Sequence, residues 1–207
     1  MIIYYTDKFN GGREESHWLL EKALAVHTGD EQQAKILIGA MKEGEHGKPF
    51  IEGFSCFSIS HTGNIWAVLI ADQECGLDIQ LCRKCDMKAI ADRWFAPRDA
   101  ARITELGRRD ESGTGMESSD KENAVDTFFR IWTRREALTK ALGGTVYDSG
   151  LPGVLSEYTV IDGKRYSFTD MVFPISKPIY TAVCVKGSKS AVLSGIIYLE
   201  GVYQKQN

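Results

Sequence analysis

Ile65-Trp66-Ala67-Val68-Leu69-Ile70-Ala71, followed after a turn by Gly76-Leu77-Asp78-Ile79-Gln80, reads as two strands of a hairpin. Strand side chains alternate faces, so Asp78 points away from its apolar neighbours Leu77 and Ile79. An unpaired carboxylate in such a run is costly. Asp78 therefore either caps nearby backbone as a turn residue or belongs to a charged site. A similar run, Ile179-Tyr180-Thr181-Ala182-Val183-Cys184-Val185, recurs late in the chain. Seven β-forming residues can match by chance, but the echo suits a chain built from two related halves.

Upstream of the hairpin, Ile2 to Thr6 reads as a strand and Glu14 to His27 as a helix with an apolar stripe of Trp18, Leu19, Ala23 and Val26. A second helix follows from Glu31 to Gly39, then a loop through Gly47-Lys48-Pro49 into a strand from Phe54 to Ser60. Downstream, helices are expected from Met87 to Phe95, Pro97 to Leu106 and Thr127 to Leu142, the last stopped by Gly143-Gly144. Residues 107–126 are rich in Gly, Ser, Asp and Glu and are expected to form a mobile loop. Strands are expected at Tyr158–Ile161, Lys164–Thr169, Ile179–Val185 and Ser190–Leu199, with Asp162-Gly163 as a hairpin turn.

In the helix before Gly143, Trp132, Glu136 and Lys140 recur every four residues and share one face. Glu followed by Lys at that spacing is by itself an ordinary surface ion pair, and a Trp there more often packs the helix into the core. Asp78 on a strand together with Glu136 and Lys140 on one stripe could also surround a divalent ion and the phosphate it holds.

Two further segments, Gly47-Lys48-Pro49 and Ser58-Ile59-Ser60-His61-Thr62, precede these in order. With Gly76-Leu77-Asp78-Ile79-Gln80 and Trp132-Thr133-Arg134-Arg135-Glu136-Ala137-Leu138-Thr139-Lys140, the set resembles the 4′-phosphopantetheinyl transferases of the surfactin-synthetase-activating type. Arg93-Trp94-Phe95 sits where that family often carries Arg-Phe-Phe. Gln80 stands where a second acid is usual, and Arg135 replaces the Lys before Glu136. A glutamine carbonyl can still ligate weakly or accept from a metal-bound water.

The resemblance implies an α+β fold of two similar lobes, a pseudo-dimer with the active site in the cleft between them. Residues 1–81 would form the N-terminal lobe and 82–207 the C-terminal one. It implies transfer of the 4′-phosphopantetheine arm of coenzyme A to a serine of an apo acyl or peptidyl carrier protein, with release of adenosine 3′,5′-bisphosphate. Mg²⁺ would be held by Asp78 and Glu136, with Gln80 as a third ligand. Glu136 would take the serine proton and Lys140 would meet a phosphate oxygen. Lys48, Ser60 and His61 would bind coenzyme A, His61 at the 3′-phosphate, with Arg13 and His17 as other cations for that group. Without the resemblance, Lys48 reads as a solvated loop lysine and His61 as structural. The alternative is a non-catalytic relative that only binds coenzyme A or a carrier. A different Mg²⁺-dependent phosphotransferase or nuclease would use the same acids.

Composition narrows these readings. A 43% apolar content over 207 residues supports a sizeable core in one large domain or two small ones. A formal charge of -3 argues against a nucleic-acid binder that relies on an overall positive field. Neither a secretory h-region nor a membrane-length apolar run is present, so a cytoplasmic protein without membrane attachment is expected, and its size and two-lobe pattern suggest a monomer. Five cysteines make a disulfide framework unexpected, and Cys82-Arg83-Lys84-Cys85, with no second ligand pair, reads as a reduced pair spaced by coincidence.

Overall fold

The computed structural model describes residues 1–112, 123–144, 150–187, 193–201 and 203. In chain order the elements are β1 (Ile2–Thr6), α1 (Arg13–Thr28), α2 (Glu31–Gly39), β2 (Lys42–Glu43), β3 (Pro49–Phe50), β4 (Cys56–Thr62), β5 (Ile65–Ala71) and β6 (Cys75–Leu81). There follow α3 (Met87–Trp94), α4 (Pro97–Ser112), α5 (Ala124–Leu142), β7 (Tyr158–Ile161), β8 (Lys164–Asp170), β9 (Ile179–Lys186) and β10 (Gly195–Tyr198). The fold is α+β, as the sequence implies. No helix among the described residues is long and apolar enough to cross a membrane.

Two four-stranded sheets, ordered β10-β1-β5-β4 and β6-β9-β8-β7, stack face to face. The alternation of β5 shows why. Trp66, Val68 and Ile70 pack under α1 and α2 with Leu19, Leu20, Leu24 and Ala34, while Ile65, Ala67 and Leu69 face Leu77, Ile79, Val183 and Val185 of the second sheet. On the far side, Ala182 and Cys184 of β9 meet Phe128, Ala137 and Ala141 of α5. The result is four layers, with helices outside and both sheets inside. The echoing runs thus occupy equivalent places: β5 and β9 are each an inner strand with one face on a helix and the other on the opposing sheet.

Several expectations are corrected. β5 and β6 do not pair as a hairpin, because β5 already lies between β1 and β4, whereas β6 pairs with β9. β6 is therefore an edge of the second sheet although it lies within residues 1–81. Conversely β10, late in the chain, runs parallel to β1 at the edge of the first sheet. Of the expected loop 107–126, residues 107–112 continue α4 and residues 124–126 open α5, where the Asn123 side chain accepts the Asp126 amide at 2.8 Å; residues 113–122 lie outside the described residues. The expected strand from Ser190 is seen only over Gly195–Tyr198, and residues 190–192 lie outside the described residues.

Candidate active site

The site forms where β6 crosses α5. Leu77 and Ile79 go to the core between the sheets, so Gly76, Asp78 and Gln80 present the other face to the helix. The approach is close: a Cβ on Gly76 would stand 1.9 Å from the Ala137 carbonyl oxygen and 2.7 Å from the Ala141 nitrogen. Small residues at 137 and 141 complete the crossing. The helix ends in a left-handed Gly143, whose neighbour Gly144 donates to the Thr139 carbonyl at 3.1 Å.

Lys140 reaches from α5 into the seam. Its ammonium donates to Asp78 Oδ1 at 2.8 Å, to Ser60 Oγ at 3.0 Å and to the Leu77 carbonyl at 3.0 Å. An ammonium has three N–H groups, and all three have acceptors here. The ion-pair partner of Lys140 is therefore Asp78 rather than Glu136. Asp78 is buried, its Oδ1 shared by Lys140 and the Ser60 hydroxyl, and its Oδ2 has no hydrogen-bond partner. Glu136, one turn before Lys140, feels the same enclosure. Burial, and behind it the charge of Asp78, push the Glu136 carboxyl up to about 7, and Lys140 and Arg135 offset this only in part.

The outer edge of β6 is satisfied by side chains instead of a neighbouring strand. The amides of Leu77, Ile79 and Leu81 donate to Ser58 Oγ (2.9 Å), Ser60 Oγ (3.1 Å) and Thr62 Oγ1 (3.1 Å). On the same edge the Cys75 and Leu77 carbonyls accept from Lys48 and Lys140. Alternation places Ser58, Ser60 and Thr62 on one face of β4 and Phe57, Ile59 and His61 on the other. The sequence reading missed this ladder, although three hydroxyls at alternate positions beside a buried strand are a visible signal.

That alternation divides the expected coenzyme A residues. Ser60 lies at Asp78, whereas His61 lines a separate cleft of about 490 Å³ with Phe9, Arg13, His17, Met41 and Pro49. Three candidate cations, Arg13, His17 and His61, thus share one hollow. Arg13 pairs there with Glu43, and the His61 ring packs on Phe9 at 5.3 Å. Lys48 does not join them. Its ammonium donates to the carbonyls of Cys75 (3.3 Å), Lys140 and Ala141 (3.5 Å), which ties the end of α5 to the start of β6. A cation at a helix C-terminus also offsets the helix dipole, so in this structure Lys48 caps α5.

Gln80 shares the strand face of Asp78, but its amide nitrogen turns to the Leu81 carbonyl at 3.1 Å. Trp132 packs against Phe95 and Phe128, as expected of a core-facing residue. Arg134, not singled out from the sequence, grips Asp170 through Nε and Nη2, both at 2.7 Å, and the carbonyls of Val154, Leu155 and Ser156 through Nη1. Nothing local in Arg134-Arg135 distinguishes this anchoring residue from a solvated one.

Residues 74–169, which hold β6 and α5, match the family described as the 4′-phosphopantetheinyl transferase superfamily. The chain is 37% identical over 153 residues to the 4′-phosphopantetheinyl transferase AcpT of Salmonella typhi, covering 70% of each protein. It is 31% identical over 140 residues to AcpT of Escherichia coli K12, covering 66% of this chain and 62% of that one. A weaker match, 27% over 106 residues, is to the 4′-phosphopantetheinyl transferase gsp of Aneurinibacillus migulanus, covering 51% of this chain and 39% of the relative. With Asp78, Glu136 and Lys140 converging inside the matched region, the chain belongs to the 4′-phosphopantetheinyl transferase superfamily.

Proposed function

We propose that this protein transfers the 4′-phosphopantetheine arm of coenzyme A to a serine hydroxyl of an apo acyl or peptidyl carrier protein and releases adenosine 3′,5′-bisphosphate. The observation that carries this reading is the meeting of Asp78, Ser60 and Lys140 at the seam of the two sheets, beside a Glu136 held near neutrality. All of these residues come from one chain, which supports action as a monomer. The order Gly47-Lys48-Pro49, Ser60-His61-Thr62, Asp78, Glu136 supports the surfactin-synthetase-activating type. On this reading residues 1–81 and 82–207 are two α+β lobes, with β6 of the first pairing with β9 of the second.

Asp78 and Glu136 would hold Mg²⁺. The bare buried Asp78 Oδ2 and the mutual repulsion of the two carboxylates are what a cation would relieve. Among the described residues no cluster of three or more His, Cys, Asp or Glu forms a metal site. Two carboxylates nonetheless suit an ion that keeps several waters and takes further oxygens from substrate phosphates. When bound, Mg²⁺ supplies charge neutralisation for the pyrophosphate. Gln80 would stand beside it as an outer ligand.

Glu136, on the helix face that meets Asp78, would take the proton of the serine hydroxyl as its oxygen attacks phosphorus. The bond to the adenosine bisphosphate breaks as the serine–phosphate bond forms. Lys140 holds Asp78 charged and in place. Incubation with coenzyme A, Mg²⁺ and a panel of apo carriers should add about 340 Da to a carrier's intact mass, and chelation should stop the turnover. No gain across a broad panel overturns the assignment.

The cleft of His61, Arg13 and His17 reads as the seat of the 3′-phosphate. A lost charge-assisted hydrogen bond is worth about 1.5–3 kcal/mol, so His61→Ala should raise the KM for coenzyme A roughly tenfold or more. Dephospho-coenzyme A lacks the group, and its KM should barely change. An unaltered ratio between the two substrates would make the ring of His61 a packing partner of Phe9 and leave the phosphate to Arg13 or His17.

A further inference from the structure

The hydroxyl of Ser60 is fully used. Its two lone pairs accept the Ile79 amide at 3.1 Å and the Lys140 ammonium at 3.0 Å, so its one hydrogen is left for Asp78 Oδ1 at 3.0 Å. Ser60 is buried, and it sits on the β4 face opposite His61 and the cleft. The two neighbours Ser58 and Thr62 make the same kind of bond to β6, and among the described residues neither hydroxyl is bonded to a carboxylate. Within one ladder, then, a single rung touches the candidate metal ligand.

We propose that Ser60 is a positioning residue for Asp78 rather than a contact to coenzyme A. By occupying Oδ1 together with Lys140, it fixes the carboxylate so that Oδ2, which has no protein partner, is the oxygen offered to the cation. The ladder sets the register between β4 and β6, and Ser60 converts that register into the orientation of one carboxylate. This role rests on the reading of Asp78 as a metal ligand.

The comparison of Ser60→Ala with Ser58→Ala tests it, because each change removes one hydroxyl from one buried amide of β6. Mn²⁺ binding to the intact protein, followed by electron paramagnetic resonance without substrates, is read beside thermal melting and steady-state kinetics. Both variants should melt at similarly lowered temperatures. Ser60→Ala alone should weaken Mn²⁺ binding by about tenfold or more, as loss of a group that orients a metal ligand does. It should also raise the Mg²⁺ concentration needed for half-maximal kcat while leaving the KM for coenzyme A unchanged. Ser60→Thr, which keeps the hydroxyl, should restore ion affinity even if its extra methyl lowers the melting temperature. Equal Mn²⁺ affinity in Ser60→Ala and Ser58→Ala overturns the role of Ser60 alone, as does a Ser60→Ala defect confined to the KM for coenzyme A. Absence of Mn²⁺ binding by the unmodified protein, with coenzyme A added as well as without it, overturns the metal reading, and this role with it.

Discussion

Glu136→Gln and Asp78→Ala are each expected to lower kcat/KM by roughly 2–4 kcal/mol of transition-state stabilisation, about 30- to 1,000-fold, while Gln80→Ala costs far less. The asymmetry follows from position. Asp78 carries a full charge into the seam and leaves one oxygen bare, whereas the Gln80 amide is neutral and already turned to the Leu81 carbonyl. Glu136→Gln also separates activity from folding. The folded protein holds the Glu136 proton up to about pH 7, chiefly because the carboxyl is buried, against an ordinary value of 4.5. Between those two values the native state binds more protons than the unfolded chain. The stabilisation is therefore complete below about pH 4.5 and is lost as pH rises through 7. The slope integrates to a value on the order of 3 kcal/mol, and Glu136→Gln should abolish it. A variant that is inactive yet less sensitive to pH in its melting would identify Glu136 as a group whose charge serves function at a cost to the fold. A Gln80→Ala loss equal to that of Asp78→Ala would show that these roles are misassigned.

What the sequence made legible, and what it did not, divides along the range of the interactions. Helical recurrence placed Glu136 and Lys140 on one stripe, and strand alternation set Asp78 apart from Leu77 and Ile79; both are local periodicities, and both hold. Which sheet a strand joins is not local. β6 and β10 each pair across the chain, β6 with β9 and β10 with β1, so a reading that joined neighbours in sequence gave β6 the wrong partner. The same reason hides the work of Lys48. Its partners are carbonyls at residues 75, 140 and 141, and a loop lysine looks solvated until the end of a helix is brought to it. Ser60 and His61 show a subtler limit. As neighbours in one motif they invite one role, but the period of two sends them to opposite faces of β4, one to the seam and one to the cleft.

Gly76→Ala is the substitution expected to damage the fold most for the fewest atoms. Replacing glycine in a strand ordinarily stabilises by up to about 1 kcal/mol, because the unfolded chain loses freedom. Here sterics reverse the sign. The added methyl carbon would lie 1.9 Å from the Ala137 oxygen, 2.7 Å from the Ala141 nitrogen and 2.9 Å from the Ala137 carbonyl carbon, all backbone atoms of α5. Ala137 C=O and Ala141 N–H are four apart, the spacing of the helical hydrogen bond, so neither atom can turn aside as a flexible side chain would. Relief requires β6 and α5 to separate, which opens the contact of Ala137 and Ala141 with Ala182 and Cys184 and pulls Lys140 from Asp78. Overpacking of this kind costs about 3 kcal/mol or more, and the loss of catalysis should exceed what the lowered melting temperature explains. Gly107→Ala supplies the contrast: it lies in α4 with open space around its Cβ position, and a helical glycine replaced by alanine should gain up to about 1 kcal/mol. If Gly76→Ala melted within a degree or two of the unmodified protein and kept its kcat, β6 and α5 would be less closely apposed than the structure places them, and the link from their crossing to the Asp78–Lys140 pair would fail.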